Sequence, residues 1–506
     1  GAANLVEMMR EVEPNVRTLR MVLEGNAQFK MEARKIIPVT SDRKTIFDRF
    51  LKLPSKKTTA ERLNKQLLSW LDDVVYGQEE LQDTARIFGR AVDLNKLGGN
   101  FAFLTALNNM AFNVTAGIGN VSIGNIMTLG ESLGAKYYTP ADWRKAQGQY
   151  FSNFNEFMKD AFNLKKSKIT QLGIKYDAIQ GEFRDKYGKK FVGNATQRYA
   201  NADTIFIINH AAEHQIQLVG MLSLMNATKV KTTSGETISL FDAHKINEKG
   251  FLRLRDDIIW TAEDERLFTQ RLHGVNKILN GNYSKFDKVQ LQRTFYGKLM
   301  LIYRKFMYNA FRSRYGRQRF DYEIGDEMEG YYRKFFSKVA SDIKEMKFNA
   351  AANFFNRKGW SADEKYAYNK TMFELSLLVG MGILTIALAN ASGDDKDKSW
   401  LQNTLTLQML RLRKDIGMYS IFGATDIMQV LQNPSAVILT ATRYTDFFTQ
   451  LVTNPTEVYK RKTGAFDKGD SILKAKLFKA IPIVRQAVNM MQPEEQLQYY
   501  RLLNKY

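Results

Sequence analysis

Thr139-Pro140-Ala141-Asp142 opens the stretch that decides the fold. A cap residue, a first-turn proline and an acid at the third helical position stand in order, the local signature of a helix N-terminus. Pro140 is also the last proline before Pro434, so residues 141–433 contain none. Proline breaks helix interiors, and a proline-free run of this length predicts a stack of helices. Inside it, Ser361-Ala362-Asp363-Glu364 is a capping box, in which Ser361 and Glu364 satisfy each other's orphan amides.

Working outward, apolar periodicity predicts helices over 2–26, 58–77, 80–96, 140–163, 199–226, 261–279, 286–315, 326–356, 361–391, 397–419, 436–452 and 470–491. One β signal interrupts them near 229–240, where β-branched residues flank Ser234-Gly235 and fit a short hairpin. The expected fold is therefore all-α, an elongated assembly of several helical subdomains with one β-hairpin. Four regions follow: 1–97, N-terminal helices; 98–227, a glycine-rich hinge (Gly98 to Gly134) and central helices; 228–360, the hairpin and basic-aromatic helices; 361–506, an apolar helix and the C-terminal helices.

Composition narrows the chemistry. The 506 residues are 44% hydrophobic and 12% aromatic, enough for a sizeable core. The charge is lopsided, 74 Lys and Arg against 53 Asp and Glu, for a net +21. Such a surplus favours a polyanionic neighbour, whether nucleic acid, an anionic membrane face or an acidic protein surface. A solvated basic surface is the plain alternative. There is no cysteine, which excludes disulfides, thiolate nucleophiles and Cys-ligated zinc. Gly1-Ala2-Ala3-Asn4 leads into a charged helical pattern and not a secretory signal. That start suggests a cleaved precursor or an expression remnant.

His210-Ala211-Ala212-Glu213-His214 fits the H-x-x-E-H pattern of inverted zinc peptidases. Two histidines four apart share a helical face and could hold a metal, with Glu213 as general base. A third ligand is needed, however, and no Glu occurs between Glu265 and Glu323. With its apolar flanks the motif reads better as a hydrogen-bonded pair in a buried helix, and neither cofactor nor catalysis is expected. Gly117-Ile118-Gly119 with Gly124 lacks the spacing of a phosphate loop. Asp256-Asp257 beside Arg253 and Arg255 reads as solvated ion pairs.

Two segments point to surfaces. Lys285, Lys288, Arg293, Lys298, Arg304, Lys305, Arg312, Arg314, Arg317 and Arg319 oppose the single acid Asp287, and rings from Phe286 to Phe320 lie among them. Cations with stacking rings suit a polyanion; an amphipathic helix with its rings inward is the rival reading. Leu375 to Gly393 is a stretch of nineteen uncharged residues, after Glu374 and before Asp394-Asp395. As a helix it spans ~28 Å, close to a bilayer's ~30 Å. Leu375, Leu378, Val379, Ile383, Leu384, Ile386 and Leu388 would face lipid. A buried core helix accounts for the stretch equally well.

The order of a hairpin running into Ile238-Ser239-Leu240-Phe241-Asp242-Ala243, the apolar helix 375–391, an acidic break with Trp400, a leucine-rich helix with Arg411 and Arg413, and Asn433-Pro434-Ser435-Ala436 is distinctive. Over residues 228–452 it resembles a C-terminal portion of the very large internal virion (cargo) proteins of crAss-like tailed phages. The resemblance implies storage inside the particle, in head or tail barrel, and ejection into the host cell with the genome. It implies other virion proteins (portal and tail barrel) as partners, with phage DNA and, after ejection, the host membrane as further ones. It carries over no polymerase activity, because no catalytic Asp cluster is present. The expected function is a structural, non-enzymatic ejection protein. Its rivals are a membrane-active or channel-forming protein using 375–391 and a zinc peptidase using His210, Glu213 and His214.

Overall fold

The computed structural model describes residues 84–87, 90–93, 114–153, 167–178, 207–280, 306–321, 324–344, 359–391, 436–460 and 468–481, with a few shorter pieces between them. The expected helices over 2–26 and 58–77 lie outside these. The chain divides into two compact units, Gly1–Phe101 with Ser284–Leu301, and Ala102–Tyr283 with Ile302–Tyr506.

In the first unit β1 (Thr84–Ile87) pairs antiparallel with β2 (Arg90–Asp93), Thr84 opposite Asp93. This overturns the helix expected over 80–96. Gly89 in the sequence would cost a helix interior about 1 kcal/mol.

In the second unit the order is α1 (Val114–Gly134), α2 (Pro140–Ser152), α3 (Lys168–Lys175), α4 (Ile207–Ala227), β3 (Lys229–Thr232), β4 (Thr237–Ser239), α5 (Leu240–Ala243), β5 (His244–Ile246), β6 (Leu252–Leu254), β7 (Ile258–Ile259), α6 (Ala262–Asn280), α7 (Phe306–Tyr315), β8 (Arg319–Asp321), β9 (Asp326–Met328), α8 (Tyr331–Lys344), α9 (Ala362–Ala391), α10 (Ala436–Thr453) and α11 (Ile472–Ala480). Helix makes up 70% of the described residues and the strands are short, so the chain is mostly α. Both sequence caps form. Thr139 Oγ1 accepts from the Asp142 amide while Asp142 accepts from the Thr139 amide at 3.0 Å, and Ser361 and Glu364 do the same for α9.

Three expectations need correction. The hairpin near 229–240 is present as β3–β4, Val230 opposite Ile238, but β7 adds a third strand, and β5–β6 and β8–β9 are further hairpins. The alternation in Leu252-Arg253-Leu254 is the strand signal behind β6. The helix expected from 326 begins only at Tyr331, after β9, because the turn signal Gly325-Asp326 outweighs helical periodicity there. Within the expected hinge, Gly98 to Gly134, residues 114–134 form one continuous helix.

The glycines of α1 serve close packing. A Cβ on Gly130 would stand 2.7 Å from the Phe373 ring, and one on Gly134 2.6 Å from that of Tyr366, so α9 lies directly on this face. On the other side α1 and α2 clasp α4, whose Leu218, Val219, Met221, Leu222 and Met225 are fully buried with Tyr138, Ile169, Leu172, Leu240 and Leu272. A smaller cluster of Tyr331, Tyr332, Phe335, Tyr366 and Ala367 joins α8 to α9.

Glycine-to-alanine changes should therefore have opposite signs at two helical sites. Gly380, in α9, has open space around its Cα, so Gly380→Ala should stabilise by up to about 1 kcal/mol. Gly130→Ala should destabilise by about 1–3 kcal/mol through overpacking against Phe373. Denaturant unfolding of both variants checks the pair; the same sign for both would contradict this packing.

Candidate functional site

The H-x-x-E-H residues lie on α4. His214 Nδ1 is 3.1 Å from the Tyr150 hydroxyl of α2. Burial pulls its imidazole down to about 4 and pushes the neighbouring Glu213 carboxyl up to about 7. Both are therefore neutral in mildly acidic solution. The His210 side chain lies outside the described residues, and among these no three His, Asp or Glu side chains gather as a metal set. Around His214 the polar contacts continue as amides. Gln215 donates to Asn125 Oδ1 at 3.1 Å, and Asn226 donates to Gln149 at 2.9 Å, stitching α1, α2 and α4 together.

The basic-aromatic segment divides. Lys285, Lys288, Arg293, Lys298, Arg304 and Lys305 lie outside the described residues. Arg317 is exposed, Arg312 half-buried, and Arg319 lies 3.5 Å from Asp321. Arg314 must be withdrawn as a polyanion contact: it is 1% exposed. Tyr331 and Tyr332 of α8 pack beside it, whereas Phe311 on α7 is 54% exposed.

Arg314 belongs instead to the most polar part of the interior. Its Nε and Nη2 donate to the two carboxylate oxygens of Glu374 at 3.1 and 2.7 Å, and Nη1 donates to the Ala310 carbonyl at 2.9 Å. The Tyr331 and Tyr332 hydroxyls donate to the same carboxylate at 2.6 and 2.7 Å. One turn back on α9, Lys370 pairs with Glu131 of α1, whose Oε2 also accepts from the Tyr366 hydroxyl at 3.3 Å. Lys370 Nζ lies 5.6 Å from the Tyr331 ring centroid, which links the two pairs. Glu131 is fully buried, and Lys370 and Glu374 are nearly so. Burial drives the Glu374 carboxyl up, but Arg314, the two tyrosines and Lys370 outweigh it and hold the group below its ordinary range. Burial, with Glu374 beside them, holds the tyrosines well above theirs.

This cluster ties α1, α7, α8 and α9 together and balances two anions with two cations. The sequence pattern presents Glu374 only as the polar flank of an apolar run. A usable signal is nevertheless present: Ala367, Lys370, Glu374 and Met381 recur at helical spacing, so charges fall on the stripe that should be apolar. Beyond it, Met381 packs on Ile123 and Ile126 of α1, so one face of the supposed lipid-facing helix is committed to protein. Val379 and Ile383 are 64% and 65% exposed, and the Ile386 and Leu388 side chains lie outside the described residues. Among the described residues no helix is long and apolar enough to cross a membrane.

Removing one partner of the buried pair should cost about 3–5 kcal/mol, because the other charge is stranded. Arg314→Met and Glu374→Leu should each show that loss in denaturant unfolding, and the double variant should be more stable than either single one. Additive losses would contradict the coupling.

Glu213 and His214 predict a concealed pH dependence. The His214 contribution is present above its unfolded value of about 6.5 and is lost as pH falls towards 4. That of Glu213 is present below about 4.5 and is lost as pH rises towards 7. The two slopes oppose each other between about 4.5 and 6.5. Over that range Glu213→Gln should make stability fall on acidification more steeply than in the parent, and His214→Gln should make it rise relative to the parent. Unfolding midpoints across this range test it; shifts of the same sign would refute the assignment.

Compared with known protein families, curated proteins and solved structures, the chain matches none of the three.

Proposed function

We propose that the chain is a structural protein of a tailed phage's interior, held in the head or tail barrel and passed into the host with the genome. Its partners in this reading are portal and tail-barrel proteins, phage DNA and, after ejection, the host membrane; no catalytic step is assigned to it. The observation that carries the reading is how local the backbone structure is. Among the described residues no strand pairing reaches further along the chain than Lys231 to Ile259. Helices and short hairpins can open piecewise, with no long-range sheet to shear. There is no disulfide to block extension and, between 141 and 433, no X–Pro bond whose isomerisation would slow refolding. The basic excess suits confinement beside DNA, and the resemblance over 228–452 supplies the phage setting.

A second reading, action at a membrane, is favoured by the exposed apolar side chains of Val379, Ile383 and Leu384. Against it stands the first half of α9, buried on α1 and α8. Flotation with uncharged liposomes, which removes simple attraction of the basic surface, separates the two: the intact protein should stay with the soluble fraction, whereas flotation abolished by Val379→Asp with Ile383→Asp would favour the membrane reading.

Mass spectrometry of purified particles and of freshly infected cells tests the main reading. The chain should be present in the particle and found inside cells whose own protein synthesis is blocked. Its presence only in cells actively making phage proteins would sink the proposal.

A further inference from the structure

The β5–β6 hairpin carries more positive charge than its surroundings neutralise. Its register sets Lys245 directly opposite Arg253, and both are exposed. Like charges facing each other across a ladder destabilise it. Of the acids within four positions of the two, Asp242 pairs with Lys145 at 3.1 Å and Asp257 with Arg255 at 2.6 Å, while Glu248 and Asp256 stand exposed. Neither Lys245 nor Arg253 has a carboxylate within ion-pair distance among the described residues. Lys168, at the start of α3, adds a third cation, with its Nζ 3.9 Å from the Phe241 ring centroid. Burial, reinforced by Lys145 and Lys245 and opposed by Asp242, pulls its amine down to about 8. An anion brought here would relieve all three.

The hairpin is also held in place. Gln171 of α3 donates to the Gly250 carbonyl at 2.8 Å and accepts from the Leu252 amide at 2.7 Å. At the base, the buried His244 lies 2.8 Å from the Leu240 carbonyl and 3.2 Å from the Tyr176 hydroxyl. Gly250, at φ 81°, makes the turn, and Phe251 leaves it with 64% of its surface exposed. A large ring standing in water beside unpaired cations, on a clamped hairpin, has the composition of a stacking platform.

We propose that this hairpin, with Lys168 beside it, is a docking surface for single-stranded nucleic acid, in which Lys245, Arg253 and Lys168 hold backbone phosphates and Phe251 stacks on a base. The inference stands on the hairpin alone, whether or not the chain is a virion component. A lipid surface is the lesser fit. One exposed ring buries little, and even a whole myristoyl chain alone gives only marginal membrane binding.

The test is fluorescence anisotropy of the full chain with labelled oligothymidylate, in parallel with a duplex and with anionic vesicles. Lys245→Glu gives Arg253 an opposite partner, so it should raise the melting temperature while weakening oligonucleotide binding about tenfold. It should also lower the log–log salt slope by about 0.7 for each phosphate no longer neutralised. Phe251→Ala should weaken single-strand binding about fivefold or more and leave duplex binding nearly unchanged. Lys474→Glu, at an exposed cation on α11, makes the same net change in charge and should leave affinity within about twofold. Equal losses from Lys245→Glu and Lys474→Glu would reduce the effect to bulk charge and overturn the proposal. Hairpin variants that abolish vesicle binding but spare the oligonucleotide would overturn it too.

Discussion

A carboxylate that accepts four hydrogen bonds inside the protein is the point on which the arrangement turns. Glu374 can be buried and ionised only because Arg314 meets both its oxygens and two tyrosines complete the shell. Those donors come from α7 and the first turn of α8, so the placement of both helices is fixed once the carboxylate is satisfied. Lys370, one turn earlier on α9, extends the same demand to Glu131 on α1. Three successive helices and the distant α1 are thereby set in register by charge, and the apolar contacts around them fill in.

Such a device buys specificity more readily than stability. A well-packed apolar replacement of a buried ion pair is often neutral or stabilising, whereas a half-satisfied pair is very costly. The amide contacts among Asn125, Gln147, Gln149, Gln215 and Asn226 extend the principle to α1, α2 and α4. Wrong registers of these helices would strand polar groups, and this disfavours slipped packings of a chain with many similar apolar faces. For a protein proposed to come apart and reassemble, discrimination of that kind matters more than a deep energy minimum.

The sequence was most legible where structure is local. The cap residues Thr139 and Ser361 begin helices as their chemistry requires, the Ser234-Gly235 turn makes its hairpin, and helix dominates the described residues. It was least legible where partners are distant. Nothing near Glu374 announces Arg314, sixty positions earlier, and nothing near Gly130 announces the Phe373 ring that excludes a side chain there. Short strands such as His244–Ile246 escaped because three residues are too few for a period-2 pattern to stand out. The candidate surfaces fared in the same way: Arg314 reads as one cation among many until its acid is seen, and Arg253 reads as paired until the register places it against Lys245.

That the Glu374 cluster is the clasp of a piecewise helical protein is tested most directly by pulling single molecules from their ends. Several low-force steps are expected, with one stronger event that weakens in Glu374→Gln and in Arg314→Met while the other steps stay unchanged. A single high-force rupture of the whole chain, indifferent to both substitutions, would contradict it.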